Sequence, residues 1–139
     1  MPERRDALSL VREMYEAARE HGPRIVLDRY EDWFSQDFEW NPILLTSVDG
    51  RTYRGKAEFR NYWDQFLDAF SEVELGEGSI EAVEGDQVLI TAGLRVKGAG
   101  SGVPIDRTVA YLFEVRDGLV TSGRTFFSPS DAREFLAHA

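Results

Sequence analysis

Residues 103–127 read VPIDRTVAYLFEVRDGLVTSGRTFF, and this stretch is the strongest indication of the fold. Apolar and polar residues alternate on both sides of Asp117-Gly118, and Asp-Gly between two such runs is a strong signal for a tight β-hairpin. Successive side chains of a strand point to opposite faces, so the position of the turn predicts that Tyr111 and Phe113 share one face. The hairpin therefore places a phenol and a phenyl ring on the same side of a sheet.

Two further alternating runs precede the hairpin, at residues 73–83 and 87–97. Together with residues 103–115 and 119–127 they form a predicted antiparallel set of four strands. Residues 38–45 indicate one more strand, which a proline interrupts, so this strand is expected to bend or to lie at an edge of the sheet.

Helical spacing dominates the first half of the chain. Apolar residues three and four positions apart predict an amphipathic helix over residues 8–18, a second helix from Pro23 to Phe34, and a third that begins at Gly55. The third helix carries a one-sided aromatic stripe, namely Phe59, Trp63, Phe66 and Phe70. Such a stripe requires a broad apolar partner, and a sheet is the natural candidate.

The order of these elements predicts an α+β fold in a single domain of residues 1–139. In this fold a cone-shaped, curved antiparallel sheet wraps around three helices, and the mouth of the cone stays open. Ser128 and Pro129 have the pattern of a helix start, so a short helix is expected to close the chain.

The charge balance argues against two classes of partner. The chain has 25 acidic and 16 basic residues and a net charge of -9, which opposes attraction to phosphate backbones and to anionic lipid. No run approaches the roughly 18 apolar residues of a membrane span. We therefore expect a soluble protein without a targeting segment, which binds neither nucleic acid nor membrane.

Cysteine and histidine usage narrows the chemistry further. The chain has no cysteine, which excludes disulfides, thiolate metal sites and a cysteine nucleophile and fits a cytoplasmic protein. Its two histidines, His21 and His138, lie at a helix end and at the penultimate position, so no metal site is expected. The high aromatic content serves either a large core or a cavity for an apolar guest.

Several short motifs resemble a known family. They are Tyr53-Arg54-Gly55 before Phe59, Tyr62 and Trp63, then Ser101-Gly102-Val103, and finally Phe113-Glu114-Val115-Arg116-Asp117-Gly118. Over essentially the whole chain these residues resemble the SnoaL-like branch of the nuclear transport factor 2-like superfamily. The resemblance implies a cone-shaped fold, a pocket between the long helix and the concave sheet, and a homodimer through the outer face of the sheet. It also implies that no cofactor is used.

The characterised relatives, polyketide cyclases and ketosteroid isomerases, move protons next to a carbonyl. In the isomerases the base is an Asp directly before a Pro on the first long strand, where this chain has Asn41-Pro42. In the cyclases a His and an Asp are expected at positions that hold Tyr111 and Ser128 here. An amide cannot accept a proton from carbon, so the family's acid-base groups are replaced at each of these positions.

Three residues are candidates for catalysis. Tyr111 is positioned to donate to an oxyanion, or else it is a core tyrosine with its hydroxyl bonded to a carbonyl. Asn41 is a candidate for orienting a ligand carbonyl, although an Asn before Pro also shapes a strand bend. Asp106 resembles the hydrogen-bond-donating Asp of the isomerases, but strict alternation puts it on the face opposite Tyr111 unless a bulge intervenes.

Nine further residues are candidates for the pocket wall, each with a structural alternative such as core packing or a solvated strand end. Ser128 is the clearest case, because helix capping also explains it. Arg124 and Phe126 share its face, and a buried unpaired Arg is costly. The nine are Tyr15, Trp40, Trp63, Phe66, Arg107, Phe113, Arg124, Phe126 and Ser128.

Two functions follow from these residues, and both stay open. The first is an isomerase or cyclase with Tyr111 as electrophile and a carboxylate such as Asp106 or Glu39 as base. The second is a non-catalytic ligand-binding or dimerisation module, with an apolar metabolite oriented by Asn41 and Tyr111. A cavity-facing carboxylate with a raised pKa distinguishes them, because only the enzyme needs one. A protein-interaction domain is a third possibility, and it requires an exposed apolar patch.

Overall fold

The computed structural model describes residues 6–42, 52–83, 85–98, 104–126 and 128–137. Three sequence predictions fall outside these residues: the turn at Asp49-Gly50, most of the loop at 98–102, and any role of His138.

Five helices are present among the described residues. They are α1 (Ala7–His21), α2 (Ile25–Asp28), α3 (Tyr30–Trp33), α4 (Gly55–Ala69) and α5 (Pro129–Ala137). The predicted second helix is two short helices, because Arg29 leaves helical geometry with φ -111° and ψ 29°. Phe34 begins the strand after α3, and Phe70 begins the strand after α4. The predicted second and third helices were therefore too long at their C-terminal ends.

In the part of the chain that the structure describes, six strands form one sheet. They are β1 (Phe34–Pro42), β2 (Tyr53–Arg54), β3 (Phe70–Ala82), β4 (Gln87–Gly98), β5 (Pro104–Arg116) and β6 (Leu119–Phe126). Their order is β2-β1-β6-β5-β4-β3, and every neighbouring pair is antiparallel except β1 and β6, which run parallel. The predicted α+β fold with a curved sheet is confirmed. The sheet is mixed rather than fully antiparallel, because the chain crosses from β1 to β3 at the far edge and then comes back strand by strand to β6, beside β1.

The β5–β6 hairpin has the predicted turn and one unpredicted irregularity. Asp117 and Gly118 both have positive φ, 53° and 77°, as a two-residue turn that matches the strand twist requires. Val115 pairs with Val120, but Glu114 pairs with Ser122, so Thr121 is an extra residue in β6. This bulge reverses the face of every later side chain in β6.

Each face of the sheet carries a hydrophobic cluster. The larger cluster lies between the inner face and helices α1 to α4. The smaller one lies on the outer face, where α5 covers Leu89, Leu112 and Phe126, and the Phe126 and Phe135 rings are 5.5 Å apart. This apolar part of the outer face is thus already buried, and the homodimer through that face stays a prediction.

Helix α4 begins as the sequence indicated. Gly55 has φ 73°, and the Glu58 carboxylate accepts a hydrogen bond of 3.0 Å from the Arg54 N–H, which satisfies an amide at the helix start. In the described part of the chain, no helix has the length and apolar content that crossing a bilayer requires.

Candidate ligand-binding cavity

A cavity lies between the inner face of the sheet and the helices. Helices α1, α2 and α4 form one side of it, and strands β1, β3, β4, β5 and β6 form the other. Its described wall consists of Met14, Tyr15, Ala18, Pro23, Val26, Phe34, Trp40, Phe59, Tyr62, Trp63, Phe66, Val73, Leu75, Leu94, Tyr111, Phe113 and Thr125.

The room in this cavity suits a small ligand. About 80 Å³ is open to the centres of water molecules, and the empty space reaches about 730 Å³ when the opening to solvent is included. An apolar cavity of about 150 Å³ binds benzene, so a ligand with a ring also occupies the part of this cavity that opens to solvent.

Tyr111 is the polar group that the fold places most directly in the wall. It lies on β5 between Ile90 of β4 and Thr125 of β6, on the inner face. Its hydroxyl makes no hydrogen bond to any residue that the structure describes. Burial raises the pKa of Tyr111, and the neighbouring Tyr15 and Tyr62 raise it further. The phenol therefore stays neutral and keeps its proton available for donation.

Tyr15, on α1, reaches the cavity from the opposite side. Its hydroxyl donates a hydrogen bond of 2.8 Å to the carbonyl oxygen of Gly76, within the β3 bulge between Leu75 and Gly78. Its ring lies 6.3 Å from the Tyr111 ring, and burial raises the pKa of Tyr15 to about 12. The Tyr15 hydroxyl thus already donates to a backbone carbonyl, whereas the Tyr111 hydroxyl donates to no described residue.

Three rings on the sheet have nearly parallel planes. Trp40 and Phe113 are 6.4 Å apart with planes 19° from parallel, and Phe113 and Tyr111 have the same separation and angle. Gly123 lies between Trp40 and Phe113 in the register of the sheet, and it leaves the space that both rings occupy. The three rings give this side of the cavity a large aromatic contact area.

Two of the three tryptophans have unsatisfied indole N–H groups. The Nε1 atoms of Trp40 and Trp63 are buried, and neither has a hydrogen-bond partner in the described part of the chain. Trp33 differs, because its Nε1 donates a 2.7 Å hydrogen bond to the Glu13 carboxylate. Among the described residues, the two tryptophans without an indole partner are the two that line the cavity.

The electrostatics of the wall are those of a neutral site. None of the described lining residues is a carboxylate, an imidazole or a cation. Across the described ranges, no group of three or more His, Asp or Glu side chains is placed to hold a metal ion. The polar chemistry of the described wall is that of phenol, alcohol and indole groups.

The sequence of this chain matches the model of the SnoaL-like domain over residues 11–123. The chain belongs to the SnoaL-like domain family. Among curated proteins, none matches it significantly.

Solved structures agree with this SnoaL-like fold. An NTF2-like protein of unknown function from Burkholderia pseudomallei has a TM-score of 0.73 at 16% identity, covering 92% of this chain and 95% of its own. TerC, crystallised with polyporic acid, has a TM-score of 0.72 at 16% identity, covering 94% and 98%. A candidate polyketide cyclase from Xanthomonas campestris has a TM-score of 0.70 at 20% identity, covering 96% of both chains.

The structure brings together half of the twelve site residues predicted from the sequence. Tyr15, Trp40, Trp63, Phe66, Tyr111 and Phe113 line the cavity of this SnoaL-like chain. The other six, which are absent from its wall, are Asn41, Asp106, Arg107, Arg124, Phe126 and Ser128.

Asn41 and the two candidates on β5 lie away from the cavity for reasons of register. Asn41 is the neighbour of Arg124 on the outer face, and its side-chain oxygen accepts a 2.6 Å hydrogen bond from the Thr52 hydroxyl. Asp106 pairs with Arg95 on the outer face, without the bulge that would turn it inward. Arg107 is on the same face of β5 as Tyr111, but it lies exposed near the start of the strand, beyond the cavity.

The bulge at Thr121 explains the position of the candidates on β6. Without it, Tyr111 would pair with Arg124, and Phe126 would share that face. With it, Arg124 faces outward over the Phe135 ring, 4.8 Å from the ring centre, and Phe126 packs under α5. Thr125 takes the inward position instead, and alternation alone did not identify it. Two signals were available: Gly123 within the strand is compatible with a bulge, and an inward Arg124 would be a buried charge without a counter-ion.

Ser128 caps α5. Its hydroxyl accepts a 3.1 Å hydrogen bond from the Asp131 N–H, which satisfies a free amide of the first turn. We expect Ser128→Ala to lower the free energy of unfolding by about 1 kcal/mol in urea denaturation, and Ser128→Asp to keep most of it. Ligand affinity should be the same in all three proteins. A loss of affinity in Ser128→Ala without a loss of stability would contradict the capping role.

Proposed function

We propose that this chain binds a small, uncharged and mainly apolar molecule in the cavity, and that the Tyr111 hydroxyl donates a hydrogen bond to an oxygen of that molecule. The observation that carries the proposal is a neutral phenol without a described partner in a wall of aromatic and aliphatic side chains. A hydrogen bond in such surroundings is stronger than in water, because the local dielectric is low.

The family and its structural relatives support this proposal. SnoaL-like domains form a family that binds small molecules, and TerC was crystallised with polyporic acid. The cavity and its opening fit a compact guest, and the aromatic surface supplies most of the binding energy through burial of apolar area.

Proton transfer next to a carbonyl requires a base, and the described wall supplies none. Glu39, one of the two carboxylates considered from the sequence, faces outward and forms a 2.8 Å ion pair with Arg54. Asp106, the other, lies on the outer face. Tyr111 has the chemistry to stabilise an oxyanion, but its raised pKa makes the phenolate a poor candidate for the base. We therefore propose binding rather than isomerisation or cyclisation.

A pair of matched ligands tests the role of Tyr111. Tetralin and 1-tetralone have the same ring skeleton, but only the second has a carbonyl. We expect Tyr111→Phe to weaken 1-tetralone binding about tenfold while tetralin binding changes less than about twofold, since one hydrogen bond is lost. Quenching of tryptophan fluorescence reports both titrations, because Trp40 and Trp63 lie in the wall.

Tyr30→Phe is the matched control for this substitution. The Tyr30 hydroxyl donates to the Ser35 carbonyl oxygen at 2.8 Å and lies outside the cavity wall. Tyr30→Phe also removes a phenol oxygen and should leave the affinities for tetralin and 1-tetralone unchanged. Equal weakening of tetralin and 1-tetralone in Tyr111→Phe would show that Tyr111 contributes packing only. Absence of binding by either ligand would overturn the cavity as the binding site.

A further inference from the structure

We infer that residues 23–28, which include the short helix α2, form a gate over the opening of the cavity, and that an ion pair between Arg24 and Asp64 holds this gate against helix α4. This role rests on the proposed function, because a gate is needed only where a ligand enters. It adds control of access to a site that has so far been described by its walls.

The opening of the cavity is marked by lining residues that are partly exposed. They are Pro23 before α2, Trp63 on α4, and Val73 and Leu75 on β3. Tyr111 is also partly exposed, but it points inward from a strand with neighbours on both sides, so its exposed surface faces the cavity. The other described lining residues are buried. The opening therefore lies between the start of α2, helix α4 and strand β3.

One ion pair joins two sides of this opening. Arg24 directly follows Pro23, and Asp64 directly follows Trp63. The Nη1 atom of Arg24 lies 3.1 Å from the Oδ1 atom of Asp64, and both side chains are about half exposed to solvent. Because exposed ion pairs are weak, this one breaks and re-forms readily. A contact of this strength keeps the gate closed most of the time without fixing it permanently.

The gate has a change of backbone conformation at each end. Gly22 has φ 91° and ψ 162°, and a Cβ there would meet nothing within 4 Å, so the glycine is needed for its conformation rather than for space. At the other end Arg29 leaves helical geometry with φ -111° and ψ 29°, and its ion pair with Asp32 anchors that end. Hinges are usually a few residues of this kind at the ends of elements.

The size of the cavity gives the gate its function. The enclosed part, about 80 Å³, is smaller than the cavity of about 150 Å³ that binds benzene, so a ligand with a ring extends into the opening. Pro23 and Val26 line the cavity from the gate, and Val26 is buried. A ring that passes between α2 and α4 displaces these side chains, and their return covers the part of the ligand that lies in the opening.

The rates of association and dissociation test the gate. Stopped-flow fluorescence of the tryptophans with 1-tetralone gives both rates. We expect Arg24→Gln and Asp64→Asn each to raise both rates about threefold and to leave their ratio, the dissociation constant, nearly unchanged. The reason is that the ion pair stabilises the closed gate both with and without ligand. The exchanged pair, Arg24→Asp with Asp64→Arg, should return both rates toward those of the wild-type protein.

Lys56→Gln is the matched control for the loss of the ion pair. It breaks another exposed ion pair of α4, that of Lys56 with Glu31 at 2.9 Å, and neither residue lines the cavity. Both rates should stay at their wild-type values in this variant. Faster exchange in Lys56→Gln as well would show a general loosening of α4, and it would overturn the assignment of the latch to Arg24 and Asp64.

A reversible cross-link tests the gate directly. The chain has no cysteine, so Arg24→Cys with Asp64→Cys supplies the two thiols that a short bis-methanethiosulfonate reagent joins. We expect the linked protein to bind 1-tetralone far more slowly than the same protein after dithiothreitol has removed the linker. Recovery on reduction shows that the variant is folded. Glu31→Cys with Lys56→Cys is the control, and its linked and reduced forms should bind at the same rate.

The outcomes separate the gate from the function on which it rests. Equal rates in the linked and reduced forms of Arg24→Cys with Asp64→Cys would overturn the gate and leave the proposed function standing. A weaker affinity of Arg24→Gln without faster association would also overturn the gate, since Arg24 would then contact the bound ligand rather than control its access. Absence of 1-tetralone binding by the wild-type protein at equilibrium would overturn both.

Discussion

The free energy of unfolding is expected to fall by about 4 kcal/mol as the pH rises from 10 to 12, because two buried tyrosines lose their protons at higher pH in the folded protein than in the unfolded chain. Burial raises the pKa of both Tyr15 and Tyr30 to about 12, with Glu31 and Asp37 adding to the effect at Tyr30. In the unfolded chain the same groups titrate near 10. Both hydroxyls donate hydrogen bonds to backbone carbonyls, which favours the protonated form.

The direction of this effect follows from proton binding. Below pH 10 both states keep the phenol protons, so the stabilisation is fully present. Between pH 10 and 12 the unfolded chain releases protons that the folded chain retains, and each tyrosine costs about 1.4 kcal/mol per pH unit. Tyr111, whose pKa is raised further, adds to the slope. A loss of this size is comparable to the total stability of a typical domain, about 5 to 15 kcal/mol.

Urea denaturation at a series of alkaline pH values measures the slope. Tyr15→Phe should reduce it by about one proton, or about 1.4 kcal/mol per pH unit, whatever its cost at neutral pH. The free energy of unfolding of Tyr15→Phe at each alkaline pH is compared with its own value at neutral pH. This comparison cancels the pH-independent cost of the lost hydrogen bond to Gly76. An unchanged slope in Tyr15→Phe would show that Tyr15 does not drive the alkaline loss.

Gly123→Val is expected to destabilise the protein by about 3 kcal/mol and to abolish ligand binding. A Cβ at this position would lie 2.8 Å from Phe113 Cε1 and 2.9 Å from Trp40 Cε3 and Cζ3. Neither ring is the end of a flexible chain, and both are packed among other aromatic rings. The added side chain must therefore push them into the cavity or separate β6 from its neighbours.

Gly93→Val is the matched control for Gly123→Val. Gly93 also lies within a strand, but a Cβ there meets nothing within 4 Å. Because valine has a higher strand propensity than glycine, the change should be neutral or mildly stabilising, and binding of 1-tetralone should persist. Thermal denaturation and the fluorescence titration check both variants. Similar losses in the two would show a general intolerance of side chains in the sheet rather than a specific collision at Gly123.

The hairpin and its inward face were predictable because their signals are local. Asp117-Gly118 specifies a turn with two positive φ angles, and alternation from that turn places Tyr111 and Phe113 on the inner face, as observed. The parallel pairing of β1 with β6 was not predictable in this way. It depends on where the chain returns after crossing the sheet, and no local pattern encodes that return.

The positions on β6 show where alternation fails. Gly123 within the strand is compatible with a bulge, but nothing in Thr121-Ser122-Gly123 fixes which residue is the extra one. The extra residue, Thr121, turns the later inward side chains of β6 outward and the outward ones inward. Arg124 then lies outside and Thr125 inside, so Arg124, Phe126 and Ser128 could not be placed correctly from spacing alone. The unpaired indoles were beyond sequence analysis for a different reason, because hydrogen-bond satisfaction depends on contacts between distant segments.

The parallel contact between β1 and β6 also affects the order of events when this protein folds. Within the described ranges, β1 has only the two-residue β2 as its other neighbour, so its main backbone partner is β6, where Trp40 pairs with Gly123. Pairing between such distant segments carries a high loop-closure cost and is slow. During synthesis, Phe59 of α4 becomes available to Phe38 and Trp40 well before β6 does, so the aromatic contacts of β1 precede its main backbone pairing.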